Sequence, residues 1–153
     1  MKSDEFAVLE FNNVSFSWSK GFKVINQCSF TIEKPGLWML VGKNGSGKST
    51  LFRLISGGIR PESGTIFCSL KPSLVYQNPD HQLLMPTCKS ELMLSVSKNI
   101  PHSQFLDLIQ SALDKVGLSE MLDRPIHTLS GGQKQRLAIA GAIVSNSNLL
   151  LLD

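Results

Sequence analysis

The sequence has no apolar run long enough to cross a bilayer. Its longest, residues 137–144, falls well short of the roughly 18 residues required and reads as part of a helix. Cysteine is scarce and unpaired: Cys28, Cys68 and Cys88 form no C-x-x-C spacing. A disulfide framework and a zinc site are thereby excluded, and the three read as small core residues. His81, His102 and His127 are scattered, without metal-ligand spacing. Charge is also low, with 18% charged residues and a formal net charge of +3. That excess is too small and too dispersed for a nucleic-acid stripe, so affinity for anions has to come from local sites. Repeats and low-complexity tracts are absent. The opening Met1-Lys2-Ser3-Asp4-Glu5 is acidic where a leader would be apolar or Arg-rich, which points to a reducing cytosol.

What is present suits one hydrophobic core, since a chain of about 150 residues buries roughly 68–70% of its unfolded surface. Residues 6–18 alternate loosely (Phe6, Val8, Val14, Phe16, Trp18) around an Asn12-Asn13 turn signal, and Phe30 and Ile32 share a face in residues 29–32. Two or three antiparallel strands are expected there. After Pro35-Gly36, residues 37–41 are an unbroken apolar run, too short for a helix and suited to a strand buried on both faces. A glycine-rich turn follows, then a helix over 48–55 whose Leu51, Leu54 and Ile55 face a sheet and which ends at Gly57-Gly58. Short strands are expected at 65–68 and 74–77. Residues 78–129 then form a helical insert, in which Phe105, Leu108, Ile109, Ala112, Leu113 and Val116 keep one helix face between Pro101 and Gly117. Ser130-Gly131-Gly132 opens a helix through Ser145, and residues 149–152 read as a second buried strand.

Gly42-Lys43-Asn44-Gly45-Ser46-Gly47-Lys48-Ser49 fits G-x-x-x-x-G-K-[ST] without mismatch, between a strand pattern and a helix start. Backbone N–H groups can wrap a triphosphate only where side chains are small and positive φ is allowed, which Gly45 and Gly47 supply. The helix start turns unpaired N–H groups and its positive dipole end toward the phosphates. Lys48 adds a charge between the β- and γ-phosphates, and the Ser49 hydroxyl, followed by Thr50, is a hard ligand of the kind Mg²⁺ accepts. Lys43 reads as a solvated loop residue. Asp153, after four leucines, has the form of the strand-end carboxylate that completes a Mg²⁺ shell.

A second motif separates the P-loop classes. Leu129-Ser130-Gly131-Gly132-Gln133, continuing Lys134-Gln135-Arg136, resembles the signature of the ABC ATPases and stands where they carry it, after a helical insert and shortly before the aspartate strand. The resemblance implies an α/β P-loop NTPase core with an N-terminal antiparallel β region and a helical insert. The division expected is 1–77, 78–129 and 130–153. It also implies that Trp18 stacks on adenine where the family usually has Tyr, and that Gln77 positions Mg²⁺ or the attacking water. Ser130, Gly131, Gly132 and Gln133 would meet the ATP held by a partner subunit. Asn78-Pro79-Asp80-His81-Gln82-Leu83-Leu84, then Pro86-Thr87, looks like the ATPases of energy-coupling-factor and cobalt-type importers; His81 itself reads as an exposed loop side chain.

The function implied is that of an energy-coupling ATPase of a membrane transporter. It would bind ATP and Mg²⁺, pair head to tail with a second ATPase subunit and dock on integral membrane subunits, cytoplasmic and peripheral on the membrane's inner face. The family pattern also continues past the aspartate with a catalytic glutamate, a further loop and a switch histidine. These 153 residues stop at Asp153, so the reading is of a piece of a longer ATPase that binds ATP weakly and hydrolyses little or none. The alternative is a soluble ABC ATPase acting on DNA or ribosomes, whose coiled-coil or basic insertions the sequence lacks. A P-loop kinase would not carry the second motif.

Overall fold

The computed structural model describes residues 7–19 and 21–153. Phe6, placed above in the first strand pattern, lies outside them. The described residues form two compact units, one running to Pro72 and including Asp153, the other Ser73–Leu152.

The first unit is built on a long antiparallel hairpin. Strand β1 (Leu9–Ser19) pairs with β2 (Phe22–Ile32) on one side and β3 (Ser63–Cys68) on the other, in the order β2-β1-β3. The expected turn at Asn12-Asn13 is instead a bulge inside β1. Phe11 faces Phe30 and Val14 faces Cys28, with the register shifting between them. Asn13 takes φ 49° there, a conformation Asn tolerates, and its N–H donates to Ser29 Oγ at 2.9 Å. Continuing the strand buries Val14 and Phe16, whereas a reversal at Asn13 would leave that apolar pattern uncovered. The reversal comes next to Gly21, with φ 97°.

Helix α1 (Lys48–Ile55) buries Thr50, Leu51, Leu54 and Ile55, as its spacing predicts. Its end is a Schellman closure: Gly57, φ 74°, donates to Leu54 O and Gly58 to Arg53 O. Residues 37–41 depart from expectation. They form no strand, and their apolar side chains are exposed, Leu37 at 99% and Val41 at 80%. Among the described residues no strand lies beside them, so an apolar run suited to burial on both faces has neither ladder nor cover.

The second unit holds a two-stranded sheet, β4 (Pro72–Val75, from the unit's edge) with β5 (Leu149–Leu152), and three helices. The strand expected at 74–77 thus ends two residues earlier. Of the four leucines of β5 only Leu151 is buried, while Leu150 and Leu152 are exposed. The strand is covered on one face, and the side-chain period of two sends alternate leucines outward.

Helices α2 (Cys88–Ser95), α3 (Phe105–Lys115) and α4 (Gly131–Val144) enclose a core of Cys88, Leu92, Ile109, Ala112, Leu113, Leu118, Ile126, Leu129, Leu137, Ala140 and Val144. The α3 face is the expected one, with Leu108 and Val116 packed at its margin. Gly117 N–H to Asp114 O and Leu118 N–H to Leu113 O close it. Of the cysteines, Cys88 alone is buried; Cys28 and Cys68 are half-buried, and all three are free. Burial pushes the Cys88 thiol pKa up. Among the described residues no helix is long and apolar enough to span a membrane.

Candidate nucleotide site

Within the first unit the glycine-rich turn sits at the start of α1, and each glycine has a distinct reason. Gly45 and Gly47 take φ 78° and 93°, where an L side chain is strained. A Cβ on Gly47 would also lie 3.0 Å from Ile25 Cδ1 and 3.1 Å from Val24 Cγ1, so this residue seats the turn against β2. A Cβ on Gly42 would meet Ser46 Oγ at 2.8 Å. The turn is tied by Ser46 N–H to Lys43 O at 3.2 Å, and the helix begins with Leu51 N–H to Gly47 O at 2.8 Å. No side chain caps this helix start, which leaves its first N–H groups to face an anion. Asn44 lies in the exposed turn.

Lys48 folds back over the loop. Its ammonium donates to Gly42 O and Lys43 O, both at 2.8 Å, which ties the side chain to the start of the loop. Ser49 Oγ donates to Asp153 Oδ1 at 2.8 Å. Two residues 104 positions apart in the sequence, both expected to be magnesium ligands, are thus in direct contact. Among the described residues no group of three or more His, Cys, Asp or Glu could enclose a metal. One hydroxyl and one carboxylate are a hard oxygen pair that suits Mg²⁺, an ion that keeps several waters and takes few protein ligands beside substrate phosphates.

Trp18 joins the same unit. Its indole N–H donates to Thr50 Oγ1 at 3.2 Å, Phe16 meets its ring edge-on at 5.0 Å, and the Arg53 guanidinium carbon lies 5.6 Å from its centroid. The side chain is still 54% exposed. Arg53 is a contact the sequence reading missed, and no motif signals it.

The remaining predicted residues belong to the second unit. Gln77 is exposed, two residues beyond β4. The segment after it is a self-locking turn: Asn78 Oδ1 accepts from Asp80 N–H at 3.0 Å, Pro79 opens a 3-10 turn, and Gln82 is bound at both ends of its amide. Gln82 Oε1 accepts from Tyr76 N–H and its Nε2 donates to Leu74 O, each at 3.2 Å. Ser130 and Gln133 form a capping box at the start of α4, with Gln133 Oε1 accepting from Ser130 N–H at 2.8 Å and Ser130 Oγ from Gln133 N–H at 3.3 Å. A Cβ on Gly131 or Gly132 would meet nothing within 4 Å, so the backbone here is open to close approach.

Comparison with known proteins shows the family and the fold. Residues 25–153 match the ABC transporter family. The chain is 43% identical over 157 residues to ABC transporter I family member 10 of Arabidopsis thaliana, covering 99% of this chain and 58% of that protein. It is 35% identical to the energy-coupling factor transporter ATP-binding protein EcfA1 of Mycoplasmoides gallisepticum, covering 96% of this chain and 58% of that protein. Among solved structures it superposes on cbiO1 of Clostridium perfringens, part of the ABC transporter complex cbiONQ, with a TM-score of 0.82 and 29% identity over 96% of this chain and 65% of that one. A nucleotide-free ATP-binding cassette, 22% identical with a TM-score of 0.77, shares the fold. The chain thus spans 58% of the length of the two curated relatives and 65% of cbiO1. On the family match, the relatives and the fold together, the chain belongs to the ABC transporter family.

Proposed function

We propose that these residues bind Mg-ATP and form part of the energy-coupling ATPase of a membrane transporter of the energy-coupling-factor or cobalt type. The observation that carries the reading is the Ser49–Asp153 hydrogen bond at 2.8 Å beside the Lys48 ammonium. In the proposed complex the first N–H groups of α1 and Lys48 hold the phosphates, while Ser49 and Asp153 hold the Mg²⁺, which supplies charge neutralisation at the β- and γ-phosphates. Trp18 offers its exposed surface to the adenine, with Arg53 on the ring. Gln77 orients water or Mg²⁺. Ser130, Gly131, Gly132 and Gln133 meet the nucleotide of a second ATPase subunit head to tail, where the open backbone at both glycines favours anion approach. ATP hydrolysis coupled to transport belongs to the whole ATPase, cytoplasmic and docked on integral membrane subunits.

Titration of the purified chain with a fluorescent ATP analogue in Mg²⁺ tests the first step. Lys48→Ala is expected to abolish detectable binding, because the polyphosphate loses the lysine charge that compensates it; unchanged affinity refutes the assignment.

A further inference from the structure

Lys134 Nζ lies 2.6 Å from Asp80 Oδ1. The two residues are 54 positions apart, and both belong to the second unit. Asp80 sits in the 3-10 turn that follows Gln77, and Lys134 in the first turn of α4, next to Gln133. The Lys134 side chain is only 17% exposed, against 61% for Asp80. Its long stem is therefore pinned along the protein surface and its ammonium delivered to one place, so the pair needs little further ordering to form.

What each partner is fixed to gives the contact its meaning. Asp80 is held from behind by Asn78, and the turn is clamped to the end of β4 by both ends of the Gln82 amide. Gln77 lies inside that closed set of bonds. Lys134 N–H donates to Ser130 O at 2.9 Å, and the capping box stiffens the Ser130–Gln133 turn around it. One ion pair thus joins two stiff pieces, each carrying residues assigned to nucleotide.

We infer that Asp80 and Lys134 are positioning residues, a latch that makes the Gln77 segment and the signature turn move as one body. The role given to that shared motion rests on the nucleotide reading above; the latch itself does not. Without the pair, the packing of Leu83 on the core is left to join the two segments, and each responds more loosely to what binds at the other.

Hydrogen–deuterium exchange of the whole chain without nucleotide tests the latch. In Asp80→Asn and in Lys134→Met, which keeps most of the stem, the hydrogen-bonded amides of His81, Gln82 and Leu83 and those of Gln133 and Lys134 are expected to exchange about two- to five-fold faster, the range for a surface-exposed ion pair. Amides of Ile109 and Leu113 in the core stay unchanged, which separates latch loss from general destabilisation. The double variant Asp80→Asn/Lys134→Met is expected to be no faster than either single one, as for one shared interaction. The exchanged pair Asp80→Lys/Lys134→Asp is expected to restore protection at both segments. Additive effects in the double variant, or acceleration on one side only, overturn the inference. ATP added to the wild-type chain reads the other premise: no protection at residues 42–49 overturns the nucleotide reading, while the nucleotide-free exchange still decides the latch.

Discussion

Three glycines of the first unit provide a graded test of how this chain holds its loops. Gly45, Gly47 and Gly64 take φ of 78°, 93° and 83°, so alanine at each carries the left-handed penalty of about 1–2 kcal/mol. Their surroundings differ. A Cβ at Gly45 meets nothing within 4 Å; at Gly47 it touches Ile25 Cδ1 at 3.0 Å and Val24 Cγ1 at 3.1 Å. At Gly64 it lies 2.4 Å from both Asn12 O and Asn13 O, backbone atoms fixed in the bulge of β1. Side-chain ends can yield by a few tenths of an ångström, whereas a bulged ladder has to shift as a whole, and overpacking typically costs about 1–3 kcal/mol. The expected losses are about 1–2 kcal/mol for Gly45→Ala, about 2–3 for Gly47→Ala and about 3–5 for Gly64→Ala. Both tryptophans, Trp18 and Trp38, belong to this unit, so urea unfolding followed by tryptophan fluorescence reads the unit without interference from the other. With slopes of about 1–3 kcal/mol/M the midpoints are expected to fall in the order Gly45, Gly47, Gly64. Gly57→Ala, at φ 74° with no neighbour within 4 Å, is the internal control and is expected to track Gly45→Ala. If Gly64→Ala unfolds at the same urea concentration as Gly57→Ala, the close approach at the bulge is not a constraint and the reasoning fails.

Thiol labelling and two substitutions test other parts of the chain. Cys88 is buried with its thiol pKa raised, so an alkylating reagent at mildly alkaline pH is expected to modify Cys28 and Cys68 and spare Cys88 until the protein unfolds; early labelling of Cys88 contradicts the packing. The same shift sets a sign: above the ordinary thiol range of about 8.5 the unfolded chain releases this proton first, so unfolding is favoured as pH rises and the Cys88 contribution to stability shrinks. Comparison of chemical denaturation at neutral and alkaline pH, in wild type and Cys88→Ala, isolates that slope. Ser130→Ala removes the cap of α4 and is expected to cost about 1 kcal/mol, read from loss of helical signal in urea. Ser130→Arg is expected to leave nucleotide titration of the chain unchanged while preventing ATP-driven association in sedimentation, and retained association would count against the signature turn as a pairing surface.

Local chemistry was the most legible part of the sequence. The bounds of α1 follow from the P-loop at one end and Gly57-Gly58 at the other, and α3 follows from its apolar spacing with Gly117 behind it. In each case the stop is a chemical event, a positive-φ glycine whose N–H and that of the next residue each donate to an orphan carbonyl, which a sequence displays directly. Asn12-Asn13 forms a bulge where a turn is expected, because the same conformational tolerance serves both. Which of them forms depends on whether the apolar residues beyond, Val14 and Phe16, are covered by the partner strand. The Asp80–Lys134 pair was invisible for a different reason: lysine and aspartate 54 residues apart carry no periodic signal, and only the packing of the 3-10 turn against α4 brings them together.

Residues 37–41 mark the limit of pattern reading, and they also say what fixes the nucleotide loop in these residues. An unbroken apolar run specifies what a segment can become, but a buried strand exists only where neighbours supply its ladder and cover both faces. Among the described residues the run has neither and is exposed. The contacts that hold the turn in these residues come from the helix side. Gly47 is pressed on Val24 and Ile25, Trp18 reaches Thr50, and Ser49 reaches Asp153. Each of these three contacts acts within four residues of Gly47, and together they hold the first turn of α1, the turn whose N–H groups and Ser49 hydroxyl are proposed to meet the phosphates and the Mg²⁺. The sequence signal for the site is strong because the residues proposed to meet a phosphate are gathered at one helix start, where glycines, unpaired N–H groups and a lysine lie within a few positions of one another.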